Sequence, residues 1–399
     1  MATSENDGSM TGTTTTFRNG RVFDGTRLHD GHALCALDGR VTAFGPDIEI
    51  PDTGRIVDLK GDILSPGFVD LQVNGGDGIL FNDDPSVRTL VRIAKAHRRL
   101  GVAQLLPTLI TDTPEKTFAA IAAATEAIQA GVPGIAGLHL EGPHLSVARK
   151  GAHDGELIRP MTPDDLGFLL DAASTLPVLK VTVAPENVTE TQVQSLTRAG
   201  VLVSLGHTDA DYDTCLRYFS AGARCVTHLF NAMSQLGSRA PGLVGAALNT
   251  GGVSAGLIAD SVHVHPQTIR AAWAAKATPG QIFLVSDAMA VAGSDATSFA
   301  LNGRTITRKD GVLTLADGTL AGADLNLTTA VKTMVDQVGI TLENALRAAT
   351  SVPAGLIGTS VPDLTREGTQ ISDMVRISRD LSEVCFLEDI SSQPQPRTP

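Results

Sequence analysis

The central part of the chain alternates short apolar runs with segments in which apolar residues recur every three to four positions. Between these segments stand eight apolar runs: FVDLQVN, VAQLLPTLI, IAGLHLE, LKVTVAPE, LVSLGHT, CVTHLF, VSAGLIAD and IFLVSDAM. Segments such as PSVRTLVRIAKAHRRLG have the 3.6-residue period of a helix. Regular alternation of strands and helices is typical of parallel βα units, and eight such units predict a (β/α)8 barrel.

Both ends of the chain carry strand-like segments outside this alternation. FRNGRVFDG and ALDGRVTAFG read as short strands with glycine turns, and DMVRIS and EVCFLED return to this pattern near the C-terminus. We therefore predict a small β-sandwich domain from residues 15–62 and 359–390 beside a barrel at 63–358, with disordered tails at 1–14 and 391–399. FALNGRTITRKDGVLTLADG, after the eighth run, predicts a β excursion.

Composition limits the possible partners. The chain has 399 residues, is 42% hydrophobic and carries a net charge of −12, which argues against nucleic acid or a membrane surface as a partner. No apolar run reaches the length of a membrane span, and the polar N-terminus lacks the order of a secretory signal, so we expect a cytoplasmic protein. The four cysteines are scattered, as expected for reduced thiols.

Ionisable residues stand at the C-terminal ends of four predicted strands: Glu141, His207, His228 and Asp287. These ends converge at one mouth of a barrel, where active sites of this fold lie. Taken singly, each residue could be a cap, a turn or a packed histidine. Together, two imidazoles and a carboxylate are good zinc ligands, and a second carboxylate remains to act as a base.

Other histidines leave alternatives open. His263 and His265 have the spacing of a metal-binding pair, but they follow the seventh strand in a loop, where surface histidines are about as plausible. His139 and His144 are similarly ambiguous, although His139 shares a strand face with Glu141 and suits a packed position behind it.

The stretch FVDLQVNGGDG raises a separate question. Gln72 and Asn74 lie two residues apart on a strand, so both amides point the same way, towards one target.

The order of motifs resembles the amidohydrolase superfamily and, within it, the sugar-phosphate deacetylases. The resemblance runs from about residue 60 to 358 and rests on seven stretches: HLEGPHL, RKGAH, VAPE, LGHT, THLFNAM, APGLVG and LVSDAM. It implies a distorted (β/α)8 barrel with a small β domain from both termini. It also implies hydrolysis of N-acetylglucosamine 6-phosphate to glucosamine 6-phosphate and acetate.

The resemblance also implies roles for individual residues. Glu141, His207 and His228 would bind one divalent metal, expected to be zinc, and Asp287 would be the catalytic acid and base. His153 would touch the acetyl carbonyl.

The phosphate would be bound by a second group of residues. Asn231 and the backbone of Ala232 match the family's phosphate-binding turn. Arg239 and His263 match residues that reach the phosphate from the neighbouring subunit of a homodimer with shared active sites.

The two amides occupy the position at which many superfamily members have a His-x-His pair that binds a second metal. Neutral amides are poor zinc ligands beside imidazole, so the chain resembles the branch with one metal, and Gln72 is expected to contact ligand or solvent there. His144, Ala240 and Ala323 depart from the usual residues of the family and bear on fine substrate preference.

Three alternatives stay open at this point. The sugar could be N-acetylgalactosamine 6-phosphate, or the substrate a cyclic amide or N-acyl amino acid, although Arg239 and His263 argue against a substrate without a phosphate. The chain could also be a catalytically silent sugar-phosphate binding protein, which the retained Asp287 and ligand candidates argue against.

Overall fold

The computed structural model describes residues 12–388. The predicted disordered tails lie almost entirely outside this range, and Thr14 already begins the first strand. Five strands form the N-terminal part: β1 (Thr14–Phe23), β2 (Leu28–Leu37), β3 (Arg40–Pro46), β4 (Arg55–Asp58) and β5 (Ile63–Pro66), with a 3-10 turn at Asp47–Glu49.

The barrel follows, and all eight apolar runs predicted as its strands are strands. In chain order this part consists of β6 (Phe68–Val73), the hairpin β7 (Gly75–Gly76) and β8 (Ile79–Leu80), α1 (Val87–Arg99), β9 (Val102–Ile110), α2 (Pro114–Gln129), β10 (Leu138–Glu141), a 3-10 turn (Val147–Arg149), α3 (Pro163–Thr175), β11 (Leu179–Val183), α4 (Glu190–Arg198), β12 (Leu202–Leu205), α5 (Tyr212–Ser220), β13 (Cys225–Val226), α6 (Gly242–Asn249), β14 (Ser254–Leu257), α7 (Pro266–Ala275) and β15 (Ile282–Leu284). The parallel sheet runs β15-β14-β13-β12-β11-β10-β9-β6. The predicted eight-stranded barrel is confirmed.

The predicted β excursion is also present. β16 (Ser298–Leu301), β17 (Arg304–Lys309) and β18 (Val312–Thr314) form an antiparallel sheet of their own. The chain then returns through α8 (Leu327–Thr333), a π-helical turn (Met334–Val338), α9 (Leu342–Ala349) and α10 (Ser351–Leu356) to β19 (Met374–Ile377) and β20 (Val384–Phe386).

The two chain ends meet in one small β domain, as predicted. Its strands form a mixed sheet in the order β20-β19-β5-β1-β2-β3, with β4 also paired to β1. The strand β5 pairs with both β1 and β19, although the sequence analysis placed Ile63–Pro66 with the barrel. The backbone groups of β5 are used in the small sheet, and the first barrel strand begins only at Phe68.

Apolar side chains between the strands and the surrounding helices form one continuous core, and the small domain has a separate cluster around Phe17, Leu34 and Met374. Within residues 12–388, no helix combines the length and apolar character needed to cross a bilayer.

The first barrel strand, β6, does not pair with the last strand, β15, but contacts the segment that follows it. Val73 forms a parallel bridge with Ala288, whose carbonyl accepts from the backbone N–H of Asn74 at 2.9 Å. Below this bridge, the fully buried carboxylate of Asp70 accepts from the backbone N–H groups of Gln72 and Ser286, both at 3.2 Å. Burial raises the pKa of Asp70 to about 7 despite these hydrogen bonds.

The shift at Asp70 predicts that the stability of the metal-free protein falls as pH rises. An unfolded aspartate ionises near pH 3.9, whereas folded Asp70 keeps its proton until about pH 7, so the folded state binds more protons between these values. The destabilisation grows to about 4 kcal/mol above pH 7. Asp70→Asn should remove most of this slope. Urea unfolding of chelator-treated protein at pH 5 and pH 7.5 measures how the free energy of unfolding changes with pH. An unchanged pH dependence in the variant would contradict the raised pKa of Asp70.

Candidate active site

Three side chains from three strand ends converge at the mouth of the barrel. Glu141 ends β10, and His207 and His228 follow β12 and β13 by two residues each. The Nε2 atoms of His207 and His228 lie 3.2 and 3.1 Å from Oε1 of Glu141 and 3.0 Å from each other. All three residues are buried.

This donor set fits a tetrahedral metal. Zinc bonds to nitrogen and oxygen of about 2.0–2.1 Å place neighbouring ligand atoms about 3.3 Å apart, close to the separations of these three atoms. Among residues 12–388, these three form the only group of His, Cys, Asp or Glu side chains that lie close enough together to hold a metal ion. Glu141, His207 and His228, the three ligands expected from the sequence, are therefore brought together.

The surroundings of the triad orient its members. Nδ1 of His207 donates to the carbonyl oxygen of Arg149 at 2.8 Å, which turns Nε2 towards Glu141 and the position of a metal. Burial opposes the ionised form of Glu141, but hydrogen bonds from His207 and His228 outweigh it and hold the pKa of Glu141 well below its ordinary value. The carboxylate is therefore ionised and ready to bind a cation.

The fourth strand-end residue, Asp287, lies beside the triad and is held by the two amides. Oδ1 of Asp287 accepts from Nδ2 of Asn74 at 2.8 Å and from Nε2 of Gln72 at 3.1 Å. The same Nε2 atom of Gln72 is 3.2 Å from Oε2 of Glu141. Both donors of the pair reach Oδ1, so Oδ2 is the oxygen of Asp287 that remains available to take up a proton.

The answer to the question of Gln72 and Asn74 is that their NH2 groups bind the carboxylates. Their carbonyl oxygens, in contrast, are buried and have no hydrogen-bond partner among residues 12–388. Burial and the nearby charge of Glu141 raise the pKa of Asp287. Each hydrogen bond from an amide to Asp287 opposes that shift and favours the ionised form.

Three of these strand-end residues have strained backbones. His207, His228 and Asp287 have φ angles of 48°, 30° and 50°, in the left-handed region that residues other than glycine seldom adopt. Such strain clusters at functional sites because the surrounding structure must hold it in place.

His153 lies beside His207, in the loop after β10. Its ring is buried, with its centroid 4.4 Å from that of His207, and burial lowers its pKa to about 3, so the ring is neutral near pH 7. Nδ1 lies 2.8 Å from the hydroxyl oxygen of Thr111 and accepts from the backbone N–H of Thr111 at 3.4 Å, so the ring proton lies on Nε2. Arg304 of β17 donates to the carbonyl of Ala152 and so holds this loop.

These groups open into a pocket of about 400 Å³. Asn231, Ala232 and His263, expected at the phosphate, line it together with the catalytic candidates. Nδ1 of His263 is held 2.6 Å from Oδ2 of Asp260. His263 was expected to serve the neighbouring subunit, but it lines the pocket of its own chain.

Arg239 lies elsewhere. It is exposed and lines a separate surface groove with Asp211 and Gln235, outside the pocket that holds the triad. Within its own chain it is therefore not placed to contact a molecule beside Glu141.

The structure adds Arg149, which the sequence analysis missed. Arg149 lines both the pocket and the groove of Arg239, and its guanidinium binds Oδ1 of Asp209 at 2.7 Å. Its carbonyl also orients His207. The only signal in the sequence was its position four residues before His153, in the RKGAH segment.

The remaining histidines have other surroundings. His265 is exposed and caps α7, accepting from the backbone N–H of Gln267 at 3.2 Å. His139 is buried beneath Glu141, with Nε2 2.7 Å from Oγ1 of Thr182. His144 lies in the loop after β10 and faces away from the pocket of the triad.

Comparisons with known proteins show which enzymes this chain is similar to. The chain is 44% identical over 299 residues to an N-acetylgalactosamine-6-phosphate deacetylase of Shewanella sp. (strain ANA-3), covering 75% of each chain. It is 36% identical over 321 residues to an N-acetylglucosamine-6-phosphate deacetylase of Haemophilus influenzae, covering 80% of this chain and 83% of the relative.

A solved structure shares the whole architecture. The crystal structure of N-acetylglucosamine-6-phosphate deacetylase from Pasteurella multocida superposes with a TM-score of 0.84 at 34% identity, covering 93% of this chain and 97% of the other. The model of the amidohydrolase family matches residues 63–361, which is most of the chain and includes every residue of the triad. The chain belongs to the amidohydrolase family.

Proposed function

We propose that this protein removes the acetyl group of N-acetylglucosamine 6-phosphate by hydrolysis, giving glucosamine 6-phosphate and acetate. The observation that carries the proposal is that a metal-binding triad and a separate hydrogen-bonded carboxylate open into one pocket. The relatives at 36% and 34% identity are named for this activity. Release of acetate by the purified protein, measured on a preparation with known metal content, tests it.

Glu141, His207 and His228 would hold one divalent metal, which we infer to be zinc because two imidazoles and a carboxylate suit it. When bound, zinc supplies a water with a pKa lowered to about 7 and polarises a carbonyl group. Gln72 and Asn74 direct NH2 groups, not lone pairs, towards Asp287, which favours a single metal.

Asp287 would carry the proton between the two halves of the reaction. Its Oδ2 atom accepts a proton from the attacking water and then donates it to the departing sugar nitrogen, as one group that acts first as base and then as acid. The amides of Gln72 and Asn74, on Oδ1, fix which oxygen does this.

His153 would stabilise the negative charge that develops on the acyl oxygen. Its ring is neutral and carries its proton on Nε2, so it can donate a hydrogen bond without first gaining a proton. Fixed donors of this kind commonly contribute about 3–4 kcal/mol to the transition state.

The phosphate would lie at the other end of the pocket, bound by the side chain of Asn231, the backbone N–H of Ala232 and His263. Arg149 supplies a guanidinium from the same chain. Since Arg239 lies outside its own pocket, we propose that it reaches the phosphate of the partner subunit in a homodimer. Exposed apolar side chains near the mouth, Val147 and Leu236, support such an interface.

A second substrate is favoured by one observation. The relative at 44% identity is named for the galactosamine epimer of the same sugar phosphate. Steady-state kinetics on both N-acetylated epimers decide between them, and a kcat/KM at least tenfold higher for the galactosamine epimer would replace the proposed substrate.

Asp287→Asn should lower kcat by about 10²- to 10⁴-fold, because the amide keeps the shape of the side chain but cannot accept a proton. Metal content and substrate binding should be retained, which elemental analysis and calorimetry with substrate would check. A variant that keeps more than about a tenth of the wild-type rate would remove Asp287 from the role of base.

Metal analysis after dialysis should find about one zinc per chain, because three protein ligands and a water complete a tetrahedral shell. Glu141→Gln should lose most of this metal, whereas Glu156→Gln, a change in the loop after β10 outside the triad, should keep it. About two tightly held metals per chain would contradict the role given to Gln72 and Asn74.

Arg239→Ala and Arg149→Ala should each raise KM for the phosphorylated sugar by about 10- to 100-fold, the effect of one charged hydrogen bond. KM for N-acetylglucosamine itself should change little. Mixing Arg239→Ala with Asp287→Asn should restore activity, because a mixed dimer contains one site with an intact Asp287 and an intact Arg239 of the partner subunit.

The matched control is Arg149→Ala mixed with Asp287→Asn. Arg149 acts in its own chain, so no mixed dimer contains a complete site, and activity should stay low. Equal behaviour of the two mixtures after verified subunit exchange would argue against a shared site.

A further inference from the structure

A second pocket lies on the outer side of the barrel wall, between the first turns of α2 and α3 and the segment that follows β10. We call it the lateral pocket. It has a volume of about 220 Å³, and its lining includes Phe118, Leu140, Gly142, His144, Arg159 and Phe168. It shares no lining residue with the pocket of the metal-binding triad.

Two phenylalanines form an apolar wall of the lateral pocket. The rings of Phe118 and Phe168 meet edge to face, with centroids 4.0 Å apart. Phe118 is 50% exposed even though it is a large apolar side chain on the second turn of α2. A planar ring placed against this pair would cover apolar surface that is now in contact with water.

The polar feature of the lateral pocket is His144, which is only 2% exposed. Its Nδ1 atom lies 3.0 Å from the carbonyl oxygen of Arg159. A carbonyl oxygen can only accept, so Nδ1 carries the proton and, in the neutral ring, Nε2 has a lone pair. Burial lowers the pKa of His144 and keeps the ring neutral. Within residues 12–388, no group donates to this Nε2 atom.

The charges around the lateral pocket exclude an anionic ligand. Three carboxylates line it, and the guanidinium of Arg159 is already bound to Asp165, with Nη2 2.7 Å from Oδ1. Thr113 and Thr162 each accept from one backbone N–H of the first turns of α2 and α3. Asp112 and Asp164 line the pocket at these two helix starts, so an anion there would meet negative charge.

We propose that the lateral pocket binds a small neutral ring compound with one O–H or N–H group, which donates to Nε2 of His144 while the ring packs on Phe118 and Phe168. The volume equals that of about seven water molecules at roughly 30 Å³ each, which limits the ligand to a single ring with short substituents. Leu140 and Gly142 flank Glu141 in the chain, so the ligand would touch the segment that carries a metal ligand without entering the catalytic pocket.

The test is a titration of the full-length, metal-loaded protein with phenol, fluorobenzene or benzoate. Binding is measured by calorimetry or ligand-observed NMR. Phenol has both the ring and the donor, fluorobenzene has the ring without the donor, and benzoate has the ring with a negative charge. Phenol should bind saturably at about one per chain. Fluorobenzene should bind about 3- to 10-fold more weakly, the effect of one neutral hydrogen bond, and benzoate should not bind.

Two variants locate the phenol. His144→Phe keeps the volume but removes the acceptor, so phenol should bind no better than fluorobenzene. Phe118→Ala, at a half-exposed position that does not threaten the fold, should weaken both compounds. Saturating glucosamine 6-phosphate should leave phenol bound. Absent binding, equal affinity for phenol and fluorobenzene, affinity unchanged in both variants, or displacement by glucosamine 6-phosphate would overturn the proposal.

Discussion

Two carboxylates of like charge, Glu141 and Asp287, are buried side by side, and the arrangement of the site follows from what keeps them there. A single amide nitrogen, Nε2 of Gln72, lies 3.1–3.3 Å from oxygens of both. Glu141 is balanced by two imidazoles, and its pKa is low, whereas the pKa of Asp287 is raised by burial and by Glu141. Of two neighbouring carboxyl groups, the one with the lowered pKa suits a metal ligand and the one with the raised pKa suits a base in the same reaction.

This pairing depends on closure of the barrel. Glu141 ends the third strand, Asp287 follows the eighth and Gln72 belongs to the first, so the amide can reach both only if the first and last strands meet. Asp70 and the bridge between Val73 and Ala288 hold that seam. A loss of these contacts would move Asp287 away from its donors Gln72 and Asn74.

Beneath the triad of Glu141, His207 and His228, the interior of the barrel is polar and hydrogen-bonded. His139, Thr182, Thr227 and Ser204 form a chain with successive donor–acceptor distances of 2.7 Å. It crosses four neighbouring strands, and Glu141, His207 and His228 lie at or just after the ends of three of them. Buried polar groups that are all paired make a rigid floor. This floor supports the strained backbones at His207 and His228, which follow two of its strands.

The apolar pattern by itself determined the eight strands, their order and the β domain from both chain ends, because burial of alternating faces is a local property of the sequence. The ends of those strands also identified Glu141, His207, His228 and Asp287, since polar residues that close apolar runs have few structural reasons to be there. The resemblance of the motifs added His153 and the turn at Asn231 and Ala232, proposed to bind phosphate, which no periodicity indicates.

Only the tertiary structure decided the partners of these residues. It showed that Gln72 and Asn74 donate to Asp287, that His263 belongs to its own pocket and that Arg149 lines it. It also separated His144 from the catalytic pocket, although only two residues divide it from Glu141. The physical reason is that distances between side chains of different strands depend on the closure and stagger of the whole sheet, which no short stretch of sequence encodes.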